Sequence, residues 1–75
     1  MDSEKIVEMQ VDHHLSGRYT LKERSPGTVI WTDVNESVLL GNTDPGIFYR
    51  AVAKRMASHS SQGTVVVSYV DDTAP

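Results

Sequence analysis

Val7, Met9 and Val11 alternate with Glu8, Gln10 and Asp12 near the start of the chain. A period of two marks a strand with one buried and one wet face, so the pattern predicts a first strand here. After a break at 13–17, a second strand is expected over about 18–24. It places Tyr19 and Leu21 on one face and Arg18, Thr20, Lys22 and Arg24 on the other. Ser25-Pro26-Gly27 carries turn chemistry. Residues 28–33 are rich in β-branched and aromatic side chains, which predicts a third strand.

Two registers follow. Pairing Asp12 with Arg18 sets Glu8 against Lys22 and Met9 against Leu21. Opposite charges then meet outside and apolar groups inside, at about 0.2–1 kcal/mol per cross-strand pair. Pairing Arg24 with Thr28 sets Leu21 beside Trp31 and Lys22 beside Ile30. The inner face becomes Val7, Met9, Val11, Tyr19, Leu21, Val29 and Trp31. A slip of one residue at the Pro-Gly turn would send Trp31 outward, so the second register is the less constrained.

Farther along, 38–40 (Val-Leu-Leu) reads as a short strand or a buried loop. Asp44-Pro45 then has the form of a helix start, with the carboxylate as cap and the proline at the first helical position. Phe48, Val52 and Met56 repeat every four residues with Tyr49 beside them, while Arg50 and Lys54 fall on the opposite side. This predicts a helix over 45–58. The run of valines in 64–70 predicts a last strand buried on both faces, hence a central strand or a subunit interface. The expected architecture is α+β: a two-layer sandwich in which an antiparallel meander is followed by one helix and a final strand (β-β-β-α-β). The last strand returns by a right-handed crossover beside the first.

The chain has 75 residues, which makes a single domain over 1–75. Its ordered core is expected over about 5–70, with a frayed polar tail at 71–75. It contains no cysteine, which excludes disulfides, thiolate metal sites and a cysteine nucleophile. A net charge of −3 argues against a generic polyanion binder. Neither a signal-peptide pattern nor an apolar run of ~20 residues is present, so a cytoplasmic location without membrane contact is expected. The sequon at Asn35-Glu36-Ser37 is therefore read as chance.

Asp12-His13-His14 puts three possible metal ligands in a row, but a site needs ligands converging from several elements, and His13 and His14 begin a loop. Ser58-His59-Ser60-Ser61 sets hydroxyls beside an imidazole, yet adjacency in sequence is not triad geometry. Glu23 and Asp33 are expected on the inner face near the sheet margin. No glycine-rich phosphate loop occurs. No catalytic residue, cofactor or metal ligand is assigned, and the chain is read as not an enzyme.

What remains is a surface. The expected function is a non-enzymatic protein–protein interaction module, a small regulator or inhibitor of a larger assembly. Its partner-binding residues are expected on the outer sheet face (Thr20, Lys22, Ile30, Thr32) and on the exposed side of the helix (Arg50, Lys54). Ile30 is the apolar residue of that set. The partner is another protein, with a homodimer as a further expectation. Nucleic acid ranks behind, as an accessory domain using the basic helix face of Arg50, Lys54 and Arg55.

Overall fold

The computed structural model describes residues 5–25 and 27–73. Strands β1 (Lys5–His13), β2 (Tyr19–Arg24) and β3 (Thr32–Asp33) lead through a short 3-10 turn (Ser37–Leu39) into helix α1 (Pro45–Ser60), and β4 (Gly63–Asp71) ends the fold. These elements form one sheet of order β3-β2-β1-β4 with one helix, the expected α+β arrangement. β1 pairs antiparallel with β2 and parallel with β4.

The alternation on β1 does what its period requires. Val7, Met9 and Val11 are buried on the face that α1 covers, joined by Leu21 from β2 and by Val34 and Leu39 from the connection that follows β3. Phe48 and Val52 of α1 close this core, and Met56 packs at its margin. Full burial of such a side chain stabilises by about 1.5–3 kcal/mol, so a few positions carry much of the fold. Asp44 caps α1, its Oδ1 accepting from the Ile47 N–H at 3.2 Å, with Pro45 as the first helical residue. The helix runs two residues beyond the expected end, to Ser60.

Both strand registers differ from expectation. In the first hairpin Asp12 meets Thr20, Met9 meets Glu23 and Glu8 meets Arg24. The cause is the turn. His14 N–H donates to the Arg18 carbonyl at 2.8 Å, and Gly17 takes φ 89°, a left-handed conformation open to glycine. The tighter turn draws more residues into the ladder. Because the shift is even, each side chain keeps its expected face.

The second register is shifted by an odd number. Lys22 meets Asp33 and Glu23 meets Thr32, rather than Lys22 meeting Ile30. The third strand shrinks to Thr32–Asp33, and the preceding residues form a loop. Trp31 consequently lies on the outer face beneath Arg24, whose Cζ is 4.4 Å from the ring centroid. Val29 is 86% exposed rather than part of the core. Asp33, expected inside, shares the outer face with Lys22. In the turn before this loop, the Thr28 N–H and hydroxyl both donate to the Ser25 carbonyl. The Pro26 position of that expected turn lies outside the described residues, as does the end of the expected tail at 74–75.

β4 is not a central strand. It forms an edge of the sheet, and Val66 and Val70 on its outer face are exposed. Asp71, assigned to the tail, completes β4, and the Asp72 N–H donates to the His13 carbonyl at 2.9 Å.

Candidate functional site

One side of α1 presents Ile47, Arg50, Ala51, Lys54, Arg55 and Ser58, which recur once per helical turn, to an open groove of about 570 Å³. The facing wall is Glu36 and Val38, held there by the 3-10 turn. Ile47, Ala51 and Val38 make the apolar part of the lining, and the cations stand along the rim.

Glu23, on the inner face of β2, lies behind this groove and holds two residues of its lining, Arg55 and His59. Arg55 engages it through two nitrogens, Nε to Oε2 and Nη2 to Oε1 at 3.1 Å, and reaches Glu36 with Nη1 at 3.6 Å. His59 Nε2 lies 3.1 Å from Glu23 Oε2. Burial pushes the Glu23 carboxyl up, but the hydrogen bonds and positive charges of Arg55 and His59 outweigh it, leaving the group below its ordinary value. Arg55 is correspondingly raised, first by its hydrogen bond to Glu23.

The two other helix cations are placed differently. Arg50 and Lys54 are exposed, and neither makes an ion pair among the described residues. Arg18 donates to the Gly41 carbonyl, Lys22 pairs with Asp12, and Arg24 pairs with Glu8. The uncommitted positive charge of the described side chains is thus concentrated on this groove.

A second cavity of about 480 Å³ lies on the other side of Glu23, lined by Ile30, Thr32, Val7, Arg24 and His59 among others. His59 borders both. Ile30 and Thr32 were expected with Thr20 and Lys22 on the outer sheet face. The odd register places them instead at the margin facing the helix, beside the groove of Arg50 and Lys54. Thr20 and Lys22 remain on the outer face. There the Thr20 hydroxyl lies 2.7 Å from His14 Nε2, and Lys22 Nζ stands 5.8 Å from the Trp31 ring centre.

The Glu23–Arg55–His59 cluster went unread in the sequence, although its signal was present. Glu23 falls on the inner face in either first-hairpin register. Arg55 and His59, four residues apart, share the helix side that covers that margin.

His13 and His14 are not loop residues alone. His13 ends β1, stacks on Tyr19 with ring centres 4.1 Å apart, and places Nδ1 3.3 Å from Asp71. Among the described residues no group of three histidine or carboxylate side chains is arranged to hold a metal. The Ser60 and Ser61 hydroxyls donate back to helix carbonyls. Among the described residues no helix is long and apolar enough to cross a membrane. The chain matches no family model, no curated protein and no solved structure.

Proposed function

We propose that this chain is a non-enzymatic protein-interaction module, a small cytoplasmic regulator or inhibitor of a larger assembly, that docks an acidic, partly apolar segment of its partner against α1. The observation that supports this reading is the pair Arg50 and Lys54. Both stand exposed on the rim of an open, partly apolar groove, without an ion pair among the described residues, in a chain whose net charge is −3. A partner carboxylate would meet these charges without displacing an existing bond, and Ile47, Ala51 and Val38 would supply apolar burial. Ile30 and Thr32 extend the same side of the molecule past His59.

The free cations also suit a phosphate backbone. That reading is the weaker one, because Arg55 is committed to Glu23 and Glu36, and Trp31 lies on the opposite face of the sheet. Affinity capture from source-cell lysate separates the two. The wild type, with and without nuclease, is compared with the double variant Arg50→Glu/Lys54→Glu. The module reading expects one protein partner that survives nuclease and is lost on charge reversal. Retention unchanged by the reversal overturns the helix surface. Loss of every partner on nuclease treatment, with steep salt dependence, favours nucleic acid.

A further inference from the structure

β4 is the regular edge of this sheet, and among the described residues nothing covers it. The opposite edge, β3, is two residues long and ends in an aspartate, whereas β4 runs for nine. From Gly63 to Val70 it carries no charge and no proline, the devices that usually blunt an edge. Its direction of hydrogen bonding is set by one contact: the Asp72 N–H donates inward to the His13 carbonyl. Backbone groups alternate along a strand, so the even-numbered residues bond to β1, and those of Val65, Val67 and Tyr69 face outward. Among the described residues no strand meets them. The side chains beside this edge are unusually bare: Val66 is 51% exposed and Tyr69 63% exposed.

We propose that β4 pairs antiparallel with β4 of a second copy about a two-fold axis through Val67, joining two four-stranded sheets into one. This surface is separate from the α1 groove and does not depend on it. The register follows from the strand itself. Centring on Val67 uses all nine residues and puts the outward-facing groups in hydrogen-bonded pairs: Val67 with the partner's Val67, Val65 with the partner's Tyr69, and Gly63 with the partner's Asp71. Each such pair exchanges two bonds. Side chains keep their faces, so Tyr69 packs on the partner's Val65, a favourable aromatic and β-branched pair. Asp71, the charged residue of the strand, meets glycine rather than another acid. On the outer face the exposed Val66 and Val70 fall opposite the partner's Ser68 and the partner's Thr64 and are partly covered by them.

A contact about 30 Å long and as deep as the molecule is thick buries on the order of 600 Å² per copy, the lower range for a specific dimer. A two-fold closes after one pairing and leaves only the short β3 edges at the ends of the joined sheet.

The test is sedimentation equilibrium of the purified full chain across a wide dilution series, for the wild type and Tyr69→Pro. Proline at 69 removes an N–H that faces the edge and leaves the β1 ladder intact. A reversible wild-type dimer is expected, with the dissociation constant raised roughly 10–100-fold in the variant. A wild type that stays monomeric overturns the proposal, as does a dimer that Tyr69→Pro leaves unchanged. Because that variant could fail to fold, single cysteines in this cysteine-free chain give an independent reading. Val67→Cys is expected to cross-link on oxidation, its Cα atoms being ~5.5 Å apart across the axis. Val70→Cys is expected not to, its two copies lying roughly 20 Å apart. Equal cross-linking of both, or of neither, overturns the register.

Discussion

Arg55 of the helix and Glu23 of the second strand are joined by two nitrogen–oxygen contacts across the junction of helix and sheet, the second of them 3.1 Å long. Their residue numbers are far apart, so this bond exists only when α1 is docked on the sheet. It therefore reports on the tertiary fold rather than on either element. With His59 on the same carboxylate, it also fixes the wall between the two cavities.

The first prediction is a pH dependence. Glu23 is held below its ordinary value of 4.5 in the folded state. A group whose folded pKa is depressed contributes stability that is fully present above its unfolded pKa and is lost as pH falls through the folded one. Urea unfolding of the wild type should show this contribution intact at neutral pH and fading below about pH 4.5. Glu23→Gln should be less stable than the wild type at pH 7, and the gap should narrow towards pH 3. Arg55→Ala should cost roughly 1–3 kcal/mol at pH 7, because it leaves a half-buried carboxylate without its strongest partner. A gap that stays constant with pH would show that the Glu23 charge contributes nothing.

Trp31 offers a direct optical check of the second register. It is the only tryptophan in the chain, and the Arg24 guanidinium covers its ring. Arg24→Ala should uncover the indole, shift its emission to longer wavelength and increase quenching by iodide. The stability cost should be modest, about 0.5–1 kcal/mol for the cation–π contact plus a little for the Glu8 ion pair. Leu21→Ala should leave the emission of the folded protein nearly unchanged, since Leu21 lies on the other face. The reverse result would return Trp31 to the core.

The contrast between these two regions explains what was legible in the sequence. Asp44-Pro45 followed by Phe48, Val52 and Met56 specifies a helix through local chemistry, so it could be placed closely. The faces of β1 and β2 were readable for the same reason, since alternation survives any even shift of register. The registers themselves depended on features with no periodic signal. One is the left-handed Gly17, which tightens the first turn, and the other is the stacking of Trp31 on Arg24, which draws the loop to the outer face. A β-prone stretch, Thr28 to Trp31, thus stayed out of the sheet. At the candidate site, Arg50 and Lys54 could be read as exposed from helical spacing alone. That Arg55 is committed and they are not has only a partial signal, the inner-face Glu23 and the four-residue spacing of Arg55 and His59, because the pairing itself depends on which turn of α1 meets which side of β2.

The last prediction concerns the strand-like contact between 19 and 42. Tyr19 and Asn42 exchange both backbone hydrogen bonds, at 2.8 and 3.1 Å, and thereby tie the approach to the helix onto the start of β2. Gly41 makes the turn into this bridge at φ 138°, and its carbonyl accepts from Arg18 Nη1 at 2.9 Å. A Cβ at position 41 would meet that nitrogen at 3.0 Å and would also be strained by the backbone angle itself. Gly41→Ala should therefore destabilise the fold by about 1–2 kcal/mol. The two causes separate in an Arg18→Ala background. There the steric contact is gone while the backbone strain persists, so most of the Gly41→Ala penalty should remain. Urea unfolding of the two single variants and the double variant measures this. A penalty that vanishes with Arg18 would place the cause in the side chain, and a neutral Gly41→Ala would show that the turn readily adopts another path.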